Sequence, residues 1–347
     1  MSIIKIPTKA AIRNFVHSNY SKWFSPKKKN NDNMAYKRLY HNDLFDISIK
    51  PEFQFSPDDN VFTVGSCFAR GLEKSLVVDG INVLSTSLEF DSESIVKQNN
   101  TAMGYMNKYN TYSILYEFDW ALNNKFQHGE NFIKIDKHNW FDTNTNPALP
   151  YTNFEKSLER RRKIHSVFNK ITECKLLTIT LGLVEAWYDL ELDLFLNATP
   201  PHQLLHRFPD RFQFVVTDFQ ENMHNLEKLY DIFKAHGLDD IEIVITVSPV
   251  PLMATFSGRD VVVANTFSKS LLRTIAETWA KAHNNVHYFP SYEMVINSSP
   301  KVWEDDKRHL KGYITQYIME VFKKGYLKGY QKWKKRIPEI RSKISSR

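Results

Sequence analysis

Short runs of β-branched and aromatic residues, several ending in small or turn residues, recur along this chain. They are Val61–Val64, Ile81–Leu84, Leu176–Thr180, Gln213–Val216, Ile243–Val247 and Val286–Phe289. Helical patterns lie between them. In Phe219–Ala235, Met223, Leu226, Leu229, Tyr230 and Phe233 recur at three- and four-residue spacing. In Ala264–His283, Phe267, Leu271, Leu272, Ile275 and Trp279 form a comparable face. Strands alternating with helices predict an α/β fold with a mostly parallel sheet and helices on both faces. In such sheets the working residues sit beyond the C-terminal ends of the strands. Three turns take that position here: Gly65-Ser66-Cys67, Gly182 and Ser248-Pro249.

The chain has 347 residues, enough for one large or two ordinary domains. Aromatic residues are plentiful, with 24 Phe, 16 Tyr and 7 Trp, so a large core needs no disulfide or metal support. Two cysteines, Cys67 and Cys174, exclude a disulfide framework, and without a Cys-x-x-Cys pair a structural zinc site is not expected. The segment from Met1 to Pro7 lacks the apolar stretch of a secretion signal, and no apolar run is long enough to span a membrane. The expected location is the cytoplasm.

Residues 1–55 read as a lead-in, 56–322 as the main domain, and 323–347 as a basic tail. The stretch 118–165 breaks the strand–helix alternation and reads as an insertion, either a lid or a surface elaboration. The net charge is +7, but residues 323–347 alone carry ten Lys or Arg against one Glu, a local +9 that leaves −2 for the rest. Such a tail is either a solvated terminus or a weak contact for an anionic membrane surface or nucleic acid. Tyr326, Tyr330 and Trp333 interleave with its lysines, a pattern suited to stacking on bases.

The segment Gly65-Ser66-Cys67-Phe68-Ala69 joins the strand Val61–Val64 to a helical stretch, Arg70 to Leu76. A side chain in such a turn meets the free N–H groups and positive dipole end of the helix. A thiol there is expected to ionise more easily and become a better nucleophile. Near the other end, Asp306-Lys307-Arg308-His309 spaces a carboxylate and an imidazole by three, which places them on one side of a turn. A carboxylate that fixes the ring's tautomer equips the histidine for acid–base work.

Further segments accompany these two. They include Tyr109-Asn110-Thr111-Tyr112-Ser113-Ile114, Leu181-Gly182-Leu183-Val184-Glu185-Ala186-Trp187 and Thr246-Val247-Ser248-Pro249-Val250-Pro251-Leu252. Ala264 to Arg273 and Tyr288-Phe289-Pro290-Ser291-Tyr292-Glu293 complete the set. In this order, from about residue 60 to 310, the chain resembles the GSCFA-domain family, a branch of the SGNH/GDSL hydrolase-like superfamily. The resemblance implies a flavodoxin-like three-layer α/β/α sandwich. It also implies ester hydrolysis or acyl transfer, often on carbohydrate. Against the superfamily's Gly-Asp-Ser, Gly65 matches Gly, Ser66 matches Asp, and Cys67 falls on the nucleophile; a one-place shift would put Ser66 there. Asp306 and His309 match the closing Asp-x-x-His. Where many members carry Gly-x-Asn-Asp, this chain has Gly182-Leu183-Val184-Glu185, so the oxyanion-binding Asn is missing. Asn110 is the candidate replacement, together with the Cys67 N–H.

Glu185 is a candidate for orienting a substrate hydroxyl or pairing with an Arg. His202 and His206 stand at the i, i+4 spacing of zinc ligands without an evident third, which leaves His202 as a substrate-facing candidate. Lys269 and Arg273 share a helix face and read as solvated surface, or as an anion site. The expected activity is an esterase or O-acyltransferase acting on a small-molecule or carbohydrate ester, with an acyl thioester as a candidate donor. It requires neither metal nor organic cofactor. The rival reading is a carbohydrate-binding module on the same fold, with Trp120 and Trp140 stacking on sugar rings.

Overall fold

The computed structural model describes residues 4–18, 20–24, 32–39, 44–88, 102–146, 149–332 and 334–335. Four strands form a parallel sheet: β1 (Val61–Gly65), β4 (Leu176–Leu181), β8 (Glu242–Val247) and β9 (Val286–Tyr288), adjacent in that order. Val83 adds one parallel rung on the outer side of β1, opposite Val61. The resulting order, 2-1-3-4-5, is that of flavodoxin-like doubly wound sheets. Of the predicted strands, Ile81–Leu84 is thus reduced to this single rung, because the chain turns into a 3-10 helix at Leu84–Thr86.

Helices cover both faces. On one side lie α4 (Thr111–Leu122), α5 (Phe154–Asn169), α7 (Phe219–Ala235) and α8 (Val261–Ala282). They enclose Phe62, Leu177, Ile179, Ile243 and Ile245 against Phe118, Phe168, Phe233 and Trp279. On the other side, α3 (Cys67–Val78), α9 (Ser291–Ile296) and α10 (Gly312–Tyr326) cover Val61, Leu176 and Val244 with Phe68, Met294, Ile318 and Phe322. Strand residues alternate between the two cores, as a period of two requires when both faces are covered. The three-layer α/β/α arrangement read from the sequence is therefore present. Ahead of β1 lie two short helices, α1 (Thr8–His17) and α2 (Ala35–Arg38).

Two smaller sheets depart from the alternation. A hairpin of β2 (Phe132–Lys134) and β3 (Trp140–Asp142) follows α4. An antiparallel sheet of β6 (Leu194–Leu196), β5 (Glu185–Asp189) and β7 (Phe212–Val216) follows β4, with α6 (His202–Arg207) in its β6–β7 connection. The run Gln213–Val216 thus forms a strand, but in this sheet. The irregular segment is shorter than 118–165: residues 118–122 finish α4 and 154–165 belong to α5, both packed on the main sheet. Trp120 is buried, stacked on Tyr116 and covered by Phe126, which removes it from sugar stacking. Trp140 is half-buried against Phe154.

The basic segment also differs from expectation. Lys323 is buried in α10 and pairs with Asp79 and Glu320. Tyr326, Leu327 and Tyr330 are core residues, and Phe55 forms a parallel bridge with Leu327. Tyr326 and Tyr330 cannot stack on bases from there; the Trp333 side chain and residues 336–347 lie outside the described residues. Among the described residues no helix is long and apolar enough to cross a membrane.

Candidate active site

The ends of β1 and β4 are held by two glycines. Gly65 has φ +134°, and a Cβ there would meet the Thr180 carbonyl oxygen at 2.2 Å. A Cβ on Gly182 would stand 2.6 Å from the Tyr109 carbonyl oxygen. The segment 107–110 crosses both strand ends: the Lys108 N–H donates to Gly65 O at 2.9 Å and the Leu183 N–H to Tyr109 O at 2.9 Å. Gly182 is therefore a close-approach residue whose place in the site is structural.

Leaving β1, the chain turns at Ser66 and starts α3 at Cys67. The two alternative nucleophiles part here. The Ser66 side chain is 4 % exposed and its hydroxyl is buried without a hydrogen-bond partner. Cys67 opens to solvent at the first position of the helix. Its pKa runs against the sequence expectation. Protein packed around the sulfur raises it above the usual thiol value, and the Arg308 and Lys269 charges and the N–H groups of Cys67 and Phe68 pull it back only in part. A helix N-terminus favours the thiolate, but here desolvation outweighs it.

Lys269 is the main residue that the sequence reading misplaced. It is 1 % exposed, and its ammonium donates to Gly182 O at 2.7 Å. No carboxylate pairs with it among the described residues. Burial lowers its pKa to about 7, opposed by the neighbouring Cys67. The signal was present in the helical period. Lys269 shares a stripe with Leu272, Ala276 and Trp279, all buried, whereas Phe267, assigned to the apolar face, is exposed. Arg273, one turn on, is half-exposed, pairs with Glu277 and Glu293 and lies over the Tyr288 ring.

Asp306 and His309 do meet. Asp306 Oδ1 accepts the N–H groups of Arg308 and His309, both at 2.9 Å, and Oδ2 lies 2.6 Å from His309 Nδ1. The His309 N–H above all, then its ring, holds the Asp306 carboxyl well below the ordinary carboxylate range. Both side chains are about half-exposed. His309 Nε2 lies 3.0 Å from the Arg308 guanidinium. A guanidinium only donates, so Nε2 accepts and Nδ1 carries the proton given to Asp306. The contacts of His309 thus run to Asp306 and Arg308, and it is Arg308, anchored also on Pro251 O at 3.2 Å, whose charge acts on Cys67.

Arg308 lines one end of a cleft of about 600 Å3. Tyr109 lines it too; Cys67 is not among the lining residues, but it and Arg308 both act on the Tyr109 hydroxyl. Trp187, Phe214 and Phe256 supply apolar walls in edge-on and tilted contacts. Glu185 lies in the wall, buried, and accepts from Thr255 Oγ1 at 2.7 Å rather than pairing with an Arg. Asn146 donates to Tyr109 Oη at 2.7 Å and is, among the described residues, the one contribution of the irregular segment to the lining; the walls come from 183–199, 214 and 252–256.

Two candidates lie elsewhere. Asn110 caps α4: its Oδ1 accepts from the Ser113 N–H at 2.8 Å and its amide donates to Leu196 O at 2.9 Å. Buried and so engaged, it is a turn-forming residue and not an oxyanion donor. His202 is exposed on α6, with Nε2 2.8 Å from His206 Nε2, and does not line the cleft. No group of three potential metal ligands forms among the described residues. No curated protein matches this chain. A model of the GSCFA family matches residues 60–322.

Proposed function

The chain belongs to the GSCFA family, and from that premise we propose that it is an esterase or O-acyltransferase of the SGNH/GDSL kind, with Cys67 as nucleophile and a carbohydrate ester as substrate. The observation that carries this reading is an open thiol on the first turn of α3, within electrostatic reach of the buried Lys269 and of Arg308, which lines an aromatic-walled cleft. The raised thiol is neutral near pH 7, so attack needs a proton acceptor, and an amine lowered to about 7 is neutral in about half of the molecules there. Lys269 fills that role from beneath. As Sγ bonds to the carbonyl carbon, the thiol proton passes to Nζ, and Nζ returns it to the leaving oxygen. The Arg308 guanidinium and the N–H groups opening α3 stabilise the oxyanion in place of the missing Asn.

His309 stands on the solvent side, where an acceptor arrives. It takes the proton of the incoming water or sugar hydroxyl as that oxygen attacks the thioester, then gives it to the departing Cys67 sulfur. Asp306 keeps Nε2 free of a proton for this step. Trp187, Phe214 and Phe256 offer apolar faces, and Glu185 offers a carboxylate, a combination suited to a sugar ring. One observation favours the rival reading of a binding module: His309 Nε2 is engaged by Arg308, so turnover requires the guanidinium to swing to the substrate.

The test is peptide mapping after brief exposure to p-nitrophenyl acetate, in wild type and in the Cys67→Ala, Ser66→Ala and His309→Ala variants. The expected result is one acetyl on Cys67, absent from Cys67→Ala and retained in Ser66→Ala. In His309→Ala the acetyl should form and persist, because the slowed step is its removal. Labelling of Cys67 no faster than that of surface lysines would move the assignment to the binding module.

A further inference from the structure

Helix α1 lies far from the cleft in sequence and has no part in the chemistry above. Its ten residues include none that is buried. An isolated helix of that length is marginal in water, so a surface must cover it for it to persist. Ala11, Ile12, Phe15 and Val16, spaced i, i+1, i+4 and i+5, form one face, and Lys9, Arg13 and His17, spaced i, i+4 and i+8, form the neighbouring one. Phe15 is 59 % exposed. Lys22 donates to Phe15 O at 2.9 Å and lies over its ring, which folds the following turn against the helix. That turn presents Trp23, 69 % exposed, and Phe24. It is tied to α2 by the Ala35 and Tyr36 N–H groups, which donate to Lys22 O and Trp23 O.

The charge identifies what covers this face. Residues 1–31 carry seven Lys or Arg and no Asp or Glu. We infer that α1 with Trp23 and Phe24 is a docking surface for an anionic lipid bilayer. The helix lies in the headgroup plane, with Ile12, Phe15 and Val16 inserted and Lys9, Arg13 and Lys22 on lipid phosphates. A cationic amphipathic helix flanked by aromatic residues is the form such interfacial anchors take.

The experiment is sedimentation of the full chain with vesicles of phosphatidylcholine alone, or of phosphatidylcholine and phosphatidylglycerol in equal parts. Retention should be strong on the mixed vesicles, weak on the neutral ones, and reduced by salt. Lys9→Gln with Arg13→Gln should weaken it about thirtyfold, and Ile12→Ser with Phe15→Ser should abolish it. All four positions are exposed, so both double variants should melt like wild type. Equal retention on the two vesicle types, or none on either, overturns the inference. So does a dimer mass by light scattering that Phe15→Ser converts to monomer, which would give the face to a second copy of the chain.

Discussion

A lysine without a counter-ion in a protein interior is a cost that folding alone does not explain. Lys269 carries it, and substitution by methionine should reveal both sides of the exchange. Because burial depresses its pKa from 10.5 to about 7, the unfolded chain binds the extra proton between those values, and stability rises with pH across that window. Lys269→Met should therefore be more stable near pH 7, by a few kcal/mol, and its urea midpoint should no longer climb between pH 7 and 10.5. The same variant should acetylate Cys67 at least about a hundredfold more slowly. Unchanged acetylation with raised stability would reduce Lys269 to a packing residue. Sequence made the strand-to-helix turn at Cys67 and the Asp306–His309 contact legible, because each is a local motif with fixed spacing. Arg308 stood unremarked between those two residues. Lys269 was hidden because a single charged residue in an apolar stripe is read by its chemistry, whereas its neighbours Leu272 and Ala276 decide its depth.

At the scale of elements, the segment across the strand ends is held from below by a buried ionic network. Glu117 of α4 accepts from Lys108 and from Arg161 of α5, and Arg161 also reaches Asp142 of β3, its Nε to Oδ2 at 2.8 Å. Asn144 adds a bond to Glu117 at 2.8 Å. Two cations and two anions balance, so losing one leaves uncompensated charge in the interior. Arg161→Met should cost about 3–5 kcal/mol in urea unfolding, and in the protein that remains folded it should loosen Lys108 and with it Tyr109 at the cleft. A change below 1 kcal/mol would refute the network's role. None of this was legible in the sequence, where Lys108, Glu117, Asp142 and Arg161 lie in four segments. The helices themselves were legible: α7 spans the residues its periodicity indicated, and Asp218 and Glu221 close its start with a reciprocal cap.

At the scale of the whole molecule, the basic stretch closes the fold. Lys323, Tyr326, Leu327 and Tyr330 are buried, and Lys328 donates to Phe55 O at 2.8 Å. Removing residues 323–347 strips about 2 kcal/mol for each apolar side chain lost and leaves Asp79 buried without Lys323. Against a usual stability of about 5–15 kcal/mol, the truncated chain should show no cooperative thermal transition by circular dichroism; a wild-type melt would mean the segment is dispensable. Charge counting hid this, since it does not distinguish a solvated lysine from one anchored in a core. The cleft shows a different division of labour. The proposed chemistry draws on Cys67 of α3, Lys269 of α8 and the turn at 306–309, whereas most of the cleft walls come from residues 183–216 and 252–256. On the proposed reading, descent can rewrite what the cleft recognises by replacing wall segments while the residues assigned to the chemistry are inherited intact, so that kin with one chemistry diverge in diet.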